Sequence, residues 1–320
     1  ISGEGFLVNG QTTYATLGFA VSGAGDVNGD GLADLIVGSP AHFADGTLRN
    51  GAAYVIYGKS SFTTGVNLNW PTPGAIAPSN GFKISGELYS KVGTDVSSAG
   101  DVNGDGLADL IVGSRLGGTT GSGTGSNEGA SYIVFGNSTG TGVNLAALAA
   151  SNGFKITGSA ASAMGEYVAS AGDVNGDGLG DLLMGGLSSS FAYVVYGAST
   201  GVALNLSSGT IAASRGFKLT NMGGHVSTAG DVNGDGLADL LVGSPSGGNG
   251  YNVVLGGTQW VTSAVDGAGT FGGTAASEAL IGSAGSDTIT GGGGVDRFFA
   301  GAGDDTIVLT ASDVTNLANN

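Results

Sequence analysis

The sequence has no cysteine, two histidines and few charged residues. Without cysteine it can form neither disulfides nor a thiol nucleophile nor a Cys-ligated zinc site, and His42 and His225 form no cluster of histidine ligands. Nine basic residues against 25 acidic ones give a net charge of −16 and a pI near 4.1. This charge repels phosphate backbones, so we do not expect nucleic acid as a partner. No apolar run approaches the roughly 18 residues of a membrane helix, so we expect no membrane span.

Glycine is abundant instead, with 66 of the 320 residues. Such an excess is typical of a chain with many turns. Hydrophobic residues make up 41% and charged residues 11% of the chain, which is unlike the composition of disordered proteins. We therefore expect a folded chain of short elements, long enough for one large all-β domain or two ordinary domains.

One nonapeptide occurs four times along the chain. It reads Asp-Val-Asn-Gly-Asp-Gly-Leu-Ala-Asp at residues 26–34, 101–109 and 231–239, and has glycine in place of alanine at residues 173–181. The copies begin 75, 72 and 58 residues apart. Periods of this length, each with several strand-like runs, indicate the blades of a β-propeller.

Each of the first three periods contains four short runs of β-forming residues. In the first period they are residues 21–25, 35–39, 53–58 and 81–86. The later copies of the last two runs are residues 129–136 with 153–158, 191–197 with 216–220, and 250–256. A further repeated segment, at residues 64–68, 141–145 and 200–204, is interpreted as a connecting loop, and residues 145–150 could form one helical turn.

These motifs together resemble the FG-GAP repeat of integrin α-subunit β-propellers. The resemblance also rests on the steps Leu17-Gly18, Val92-Gly93 and Met164-Gly165 and on Gly-Ser-Pro at residues 38–40 and 243–245. It covers about residues 1–257. It implies an all-β array of four propeller blades, each a four-stranded antiparallel sheet with calcium in the loop between its first two strands. The expected repeats are residues 1–66, 67–142, 143–202 and 203–257.

The nonapeptide also has the residue types that calcium prefers. Residues 1, 3 and 5 of a tight loop can direct side-chain oxygens to one point, residue 7 offers its carbonyl, and residue 9 adds a carboxylate. Asx-turns would explain a single copy, but three carboxylates within nine residues repel one another without a cation. Four copies favour structural calcium. The predicted ligands are Asp26, Asn28, Asp30, Leu32, Asp34, Asp101, Asn103, Asp105, Leu107, Asp109, Asp173, Asn175, Asp177, Leu179, Asp181, Asp231, Asn233, Asp235, Leu237 and Asp239.

A second array of nonapeptides lies near the C-terminus. Residues 282–290, 291–299 and 300–308 resemble the RTX repeat Gly-Gly-x-Gly-x-Asp-x-U-x, which implies a short parallel β-roll with one or two further calcium ions. The ligand position holds Asp287, Asp296 and Asp305, and the buried position holds Ile289, Phe298 and Ile307. Residues 273–281 resemble a degenerate leading turn, and a glycine-rich linker is the alternative. The expected layout is a linker at 258–272, an RTX-like segment at 273–309 and a tail at 310–320.

The expected strands are not divided evenly among the four repeats. Gly-Phe strands occur at Phe6, Phe82, Phe154 and Phe217, so one precedes the first loop and none follows the fourth repeat. The numbers balance if the N-terminal strand pairs with the last blade. That pairing can close one chain into a small ring or join chains head to tail, and the blades can also belong to a longer array. The sequence leaves all three arrangements open.

No catalytic constellation is evident, because neither histidine has a nucleophile motif nearby, and Trp70 and Trp260 suit loop packing as well as sugar stacking. The first expected function is a non-enzymatic adhesion module that binds a cell-surface protein or glycan. The second is a structural subunit of an extracellular filament or surface layer, built from copies of the chain. An accessory module of a larger secreted enzyme is a more distant alternative. Both repeat types imply an extracellular protein of the bacterial cell surface, with Ca²⁺ bound and with type I export implied by the RTX-like segment.

Overall fold

The computed structural model describes residues 6–10, 16–41, 50–61, 66–68, 76–117, 127–159, 162–186, 190–243, 250–257, 264–266, 270–272, 279–281, 285–292, 297–299 and 304–309. In these residues the chain is all-β, as predicted, apart from two short 3-10 turns. None of the helical segments described has the length and hydropathy that a membrane crossing requires. His42, Trp70, Trp260 and Asp296 lie outside the described residues.

Four antiparallel sheets follow one another along the chain and are called blades 1 to 4. Blade 1 consists of β2 (Val21–Gly25), β3 (Asp34–Ser39), β4 (Ala52–Ile56) and β6 (Gly81–Ser85). Blade 2 consists of β7 (Val92–Gly100), β8 (Asp109–Ser114), β9 (Ala130–Val134) and β11 (Gly153–Thr157). Blade 3 consists of β12 (Met164–Gly172), β13 (Asp181–Gly186), β14 (Phe191–Val195) and β16 (Gly216–Thr220). Blade 4 has three strands in the described residues, β17 (Val226–Gly230), β18 (Asp239–Gly243) and β19 (Tyr251–Val254).

The four-stranded pattern predicted from the sequence is therefore present in blades 1 to 3. Its limits differ from the expected repeats, because the outer strand β6 pairs with β4 of the blade that begins at Val21. The expected boundary at residue 66 thus falls inside blade 1.

The hydrophobic core lies between consecutive blades. One cluster joins blade 1 to blade 2 through Val55 and Val96, a second joins blades 2 and 3 through Ile133 and Val168, and a third joins blades 3 and 4. Strands β4 and β9 are buried along their whole length. Strand β9 is covered on both faces by neighbouring blades, and β4 is covered by blade 2 on one face and by Phe6, Val8 and Leu17 on the other. Both strands are therefore continuous apolar runs instead of alternating ones.

The repeated segment that the sequence analysis interprets as a connecting loop forms short parallel strands. They are β5 (Val66–Leu68), β10 (Val143–Asn144) and β15 (Leu204–Asn205). Strand β10 pairs with β6 and β15 pairs with β11, so each joins the outer strand of the preceding blade. The loop interpretation was wrong because β10 and β15 find their hydrogen-bond partners in the preceding blade, and β5 finds its partner in the N-terminal segment. The helical turn predicted after β10 is present as the 3-10 turn Leu145–Ala147.

The N-terminal strand β1 (Val8–Gly10) pairs in parallel with β5. In this register Val8 lies opposite Val66, just as Ile84 of the outer strand β6 lies opposite Val143. Strand β1 therefore occupies the place of an outer strand that precedes blade 1. The expected pairing of this strand with the last blade is not formed within the described residues, since its partner there is β5.

The C-terminal segment forms two parallel three-stranded sheets, as expected for a β-roll. One contains β20 (Ala264–Asp266), β22 (Ala279–Ile281) and β24 (Arg297–Phe299). The other contains β21 (Thr270–Gly272), β23 (Thr288–Thr290) and β25 (Thr306–Val308). Strands β20 and β21 lie in the segment 258–272 that was expected to be a linker, so the stack of strands begins before residue 273.

The burial predicted for the roll is correct at one position and wrong at another. Ile289 in β23 is fully buried. Ile307 is 44% exposed, because its strand β25 is at the edge of its sheet.

Candidate calcium-binding loops

Each nonapeptide forms the loop between the first two strands of a blade. In blade 1 the Asp26 carboxylate, at position 1, accepts hydrogen bonds from the backbone N–H groups of Gly29, Asp30 and Gly31 at 2.8, 3.1 and 2.8 Å. Asp101, Asp173 and Asp231 make the same three bonds in blades 2 to 4. The four loops therefore share one conformation.

The side chains at positions 3 and 5 lie next to each other in every loop. In blade 1 Asn28 Nδ2 donates to Asp30 Oδ2 at 3.1 Å, and Asn28 Oδ1 accepts from the Asp30 N–H. Gly29 and Gly31, at positions 4 and 6, have φ angles of +76° and +84°. The positive φ that allows the backbone to wrap round is available to glycine without strain, which explains why these two positions are glycine.

The aspartate at position 9 connects the loop to the third strand of its own blade. Asp34 is fully buried, and its carboxylate accepts from the N–H groups of Val27 at 2.9 Å and Gly58 at 2.8 Å. The same pair of bonds is made by Asp109, Asp181 and Asp239. The aspartate at position 9 is thus a predicted calcium ligand, and it also links the loop to the third strand by hydrogen bonds in each blade.

The partner of position 9 was missed by the sequence analysis, although the sequence carries a signal for it. A glycine ends each third-strand run, at Gly58, Gly136, Gly197 and Gly256. A Cβ atom at Gly58 would lie 2.5 Å from the carbonyl oxygen of Ala33, which is closer than real Cβ contacts allow. The glycine therefore permits the close approach that brings its N–H to the buried carboxylate.

Burial makes these carboxylates costly to ionise. Desolvation is the main cause that raises the pKa of Asp34, and it raises the pKa of Asp109 and of Asp181 to about 7. Hydrogen bonds from the backbone lower these pKa values, while the two other aspartates of the same loop raise them further. A divalent cation beside the three carboxylates would remove that penalty.

The loop residues fit calcium by their donor atoms, which are all oxygens. No group of three or more His, Cys, Asp or Glu side chains is already gathered as a metal site in the part of the chain that the structure describes. The loop carboxylates are instead directed at backbone N–H groups. An ionised carboxylate has about four lone-pair sites, so these bonds leave Asp26, Asp30 and Asp34 able to ligate a cation as well. The structure shows the shared loop conformation, and the ligand assignment at positions 1, 3, 5, 7 and 9 stays a prediction.

Consecutive loops are hydrogen-bonded to one another. The carbonyl oxygen at position 1 accepts from the N–H at position 8 of the next loop, in the pairs Asp26–Ala108 at 2.9 Å, Asp101–Gly180 at 2.7 Å and Asp173–Ala238 at 3.0 Å. The loops thus form a continuous series across the four blades. A cation that stabilises one loop will therefore also stabilise the junction between two blades.

The RTX-like aspartates are partly brought together. Asp287 is 2% exposed, and its backbone N–H donates to Asp305 Oδ1 at 2.8 Å. The Thr306 N–H donates to the carbonyl of Asp287 at 2.7 Å. The two aspartates therefore lie on consecutive turns of the same side of the roll.

His225 belongs to a row of side chains on the inner strands of the blades. The same position before the first-strand valine holds Ala20, Asp95, Tyr167 and His225 in blades 1 to 4. The ring of His225 packs on Tyr167 with centroids 4.1 Å apart, and Asp95 accepts from the N–H of Val168 at 2.9 Å. These contacts join neighbouring blades, and His225 itself is exposed just before β17.

Repeated blades, acidic loops of identical hydrogen bonding and a parallel β-roll define an all-β repeat protein. The FG-GAP repeat model matches residues 17–56, 92–134 and 222–256, which lie in blades 1, 2 and 4. The model of the RTX calcium-binding nonapeptide repeat, in four copies, matches residues 272–307. The chain therefore contains FG-GAP repeats followed by an RTX region. Blade 3 lies outside the matched residues but has the same strand order and loop bonds.

Curated relatives share limited parts of their length with this chain. Phosphatidylinositol-glycan-specific phospholipase D of Mus musculus is 34% identical over 127 residues, covering 40% of this chain and 14% of that protein. The Homo sapiens protein of the same name is 33% identical over 172 residues, covering 54% and 19%. Integrin alpha-7 of Mus musculus is 30% identical over 186 residues, covering 58% and 13%. The chain thus spans less than a fifth of the length of these relatives.

Proposed function

We propose that the protein is an extracellular, calcium-stabilised and non-enzymatic binding module that adheres to a cell-surface protein or glycan. The observation that carries the proposal is the series of four identical loops, hydrogen-bonded from blade to blade. Such a scaffold holds variable connections between rigid strands, which is the usual way of presenting a binding surface. The similarity to integrin alpha chains supports a binding role.

Calcium would be held by the oxygens of loop positions 1, 3, 5, 7 and 9 and would neutralise the carboxylates there. Extracellular modules bind calcium with dissociation constants of about 10⁻⁴ to 10⁻³ M, which suits millimolar external calcium. The RTX region supports export from a bacterial cell by a type I pathway. The loops and the RTX roll would then order only after export.

A binding screen tests this function. Purified protein is applied to immobilised extracellular proteins and to a glycan array, once with millimolar calcium and once with EGTA. We expect binding with calcium and its loss in EGTA. A variant with Asp101→Ala and Asp105→Ala should lose binding in calcium, whereas Asp304→Ala, which alters an exposed aspartate of the RTX region, should retain it. Binding that persists in EGTA would contradict a calcium-dependent module.

A second candidate function is a structural subunit of an extracellular filament or surface layer. The observation that favours it is the exposure of apolar side chains at both ends of the blade array, such as Val21 and Tyr251. Light scattering of the purified chain in calcium separates the two functions, because a subunit forms large particles and a binding module stays small.

A third candidate, an accessory module of a larger secreted enzyme, is favoured by the similarity to phosphatidylinositol-glycan-specific phospholipase D. We expect the chain itself to be inactive on a phosphatidylinositol-glycan substrate. Hydrolysis by the purified chain would refute the non-enzymatic assignment.

A further inference from the structure

We infer that the two ends of the blade array bind each other between molecules. Blade 4 of one molecule docks on the open face of blade 1 of a second copy and takes that copy's β1 as its fourth strand. The inference supplies the contact on which the second candidate function rests.

The face of blade 1 that the other blades bury is partly open. Tyr54 and Ile56 on this face are packed against Phe6, Val8 and Leu17, whereas the part formed by β2 and the start of β3 is exposed. Val21 is 68% exposed, whereas its counterpart Val96 in blade 2 is 3% exposed. Leu35 is 39% exposed, and its counterpart Leu110 is fully buried. A groove of about 520 Å³ lies against this face, and Val8 of β1 forms part of its wall. The groove is therefore bounded by β1 on one side and by strands β2 and β3 of blade 1 on the other.

The far face of blade 4 is exposed in the same way. Val253 of β19 is 44% exposed, whereas its counterpart Val55 in blade 1 is fully buried. Val232 at loop position 2 is 56% exposed, whereas Val174 in blade 3 is fully buried. In blades 1 to 3 these positions are covered by the following blade. Blade 4 thus presents the other half of the same interface.

The strands at the two ends are complementary. In the part of the chain that the structure describes, blade 4 has the order β17, β18, β19, so β19 is its edge there, where blades 1 to 3 have an outer strand. Among the described residues, strand β1 is paired with β5 on one side, in the place of an outer strand. Adding β1 to β19 would give blade 4 four strands and leave β1 paired on both sides, as β6 is paired with β4 and β10.

The register of this pairing follows from the other blades. Lys83 lies opposite Tyr54, and Lys155 lies opposite Tyr132. By the same alignment Leu7 lies opposite Asn252. The lysine ammonium lies over the tyrosine ring at 6.0 Å in the first pair and 5.2 Å in the second. At the proposed contact both members of the lysine–tyrosine pair are replaced, the lysine by Leu7 and the tyrosine by Asn252. This joint replacement is expected if the two residues face each other.

The loop series can also continue across the contact. At each internal junction the position 1 carbonyl accepts from the position 8 N–H of the next blade. Asp231 at position 1 of the last loop is exposed, and so is Ala33 at position 8 of the first loop. We expect Asp231 of one molecule to accept a hydrogen bond from Ala33 of the next.

The occupant proposed for this face is blade 4 of a second copy. In the described residues blade 4 is a three-stranded sheet of this repeat, which would complete a blade together with β1. Blades 2 and 3 separate blades 1 and 4 within one chain, and the exposed valines show that blades 1 and 4 do not cover each other. A head-to-tail contact of this kind adds molecule after molecule unless the rotation closes a ring.

Engineered cysteines test the register, because the chain has no cysteine of its own. Leu7→Cys and Asn252→Cys are made in separate full-length chains, mixed in calcium and oxidised. We expect a disulfide-linked heterodimer from this mixture. The matched control pairs Leu7→Cys with Leu255→Cys, three residues out of register and too far for a disulfide, and it should give no heterodimer. No cross-link in the first mixture, or equal cross-linking in both, would refute the inference.

Two further experiments distinguish contact between two copies from closure within one chain. The chain carrying both Leu7→Cys and Asn252→Cys should give a ladder of linked oligomers, whereas a linked monomer alone would show closure within one chain and overturn the inference. Val21→Asp and Val253→Asp should each abolish the oligomers seen by light scattering, while Val202→Asp, at a residue 50% exposed away from both ends, should leave them intact. These measurements use no adhesion ligand, so their failure leaves the binding-module proposal standing, and a failed binding screen leaves this inference standing.

Discussion

The carbonyl oxygen of Asp26 accepts a hydrogen bond from the backbone N–H of Ala108 at 2.9 Å. The bond joins the first residue of one acidic loop to the eighth residue of the next, and it recurs at the two following junctions. Loop conformation and blade stacking are therefore coupled, so whatever orders the loops also orders the array.

Calcium removal is expected to destabilise the whole blade array. With a dissociation constant of about 10⁻⁴ to 10⁻³ M, millimolar calcium that binds only the folded state adds about 0.4–1.4 kcal/mol per site. We expect a lower Tm in EGTA than in millimolar calcium, measured by circular dichroism. Magnesium at the same concentration is the control for ionic strength. Identical Tm values in calcium and EGTA would refute calcium stabilisation.

Substitution of one position 1 aspartate should remove one bound ion. Asp101→Ala removes a predicted ligand and the acceptor of three loop N–H groups. We expect isothermal titration calorimetry to show one calcium fewer than in the unaltered chain. The matched control is Asp95→Asn, outside the loops, which should leave the number of ions unchanged. An unchanged stoichiometry in Asp101→Ala would contradict the ligand assignment.

Loss of a position 9 carboxylate should destabilise the fold even without calcium. Asp109→Ala leaves the N–H groups of Val102 and Gly136 without their acceptor in a fully buried site. Each unsatisfied buried group costs about 1–3 kcal/mol, so we expect the free energy of unfolding to fall by about 2–6 kcal/mol. Urea unfolding in EGTA measures this change. Asp105→Ala, at an exposed position of the same loop, should have a much smaller effect.

The glycine that follows each third strand should not tolerate a side chain. A Cβ atom at Gly136 would lie 2.7 Å from Leu107 Cβ and 2.8 Å from the Ala108 carbonyl oxygen. Overpacking of this kind costs about 1–3 kcal/mol, so we expect Gly136→Ala to lower the free energy of unfolding by that amount. Gly250→Ala is the control, because its Cβ would meet no atom within 4 Å. Equal stability of the two variants would show that the close approach is not required.

Asp95 should make stability depend on pH. Burial is the main cause that raises its pKa, while N–H groups of Val96 and Val168 and the nearby His225 lower it. Because the folded-state pKa lies above the ordinary value, ionisation disfavours the folded state as pH rises through that pKa. Asn keeps an acceptor for the Val168 N–H and does not ionise. We therefore expect the free energy of unfolding of Asp95→Asn, relative to the unaltered chain, to increase between pH 4 and pH 7.

Urea unfolding at both pH values measures this difference. The same substitution at the exposed Asp304 gives the baseline. A relative stability of Asp95→Asn that is constant with pH would contradict the effect of burial on Asp95.

The acidic loops and the strands beside them were predictable from the sequence alone. Asp26 bonds to N–H groups three to five residues away, and the glycines at positions 4 and 6 allow the backbone to turn. Interactions this short are encoded in nine consecutive residues. The strands were predictable for the same reason, because each is a short apolar stretch bounded by glycine.

Only the tertiary structure decided what lies far apart in sequence. The Gly58 N–H reaches Asp34 across 24 residues, β10 joins the outer strand of another blade, and β1 takes the place of an outer strand before blade 1. The sequence offers each of these strands several possible edges, and packing between blades selects one. Burial was likewise decided by neighbours: Val21 and Val96 occupy the same position of the repeat, but Val96 alone is covered by a preceding blade.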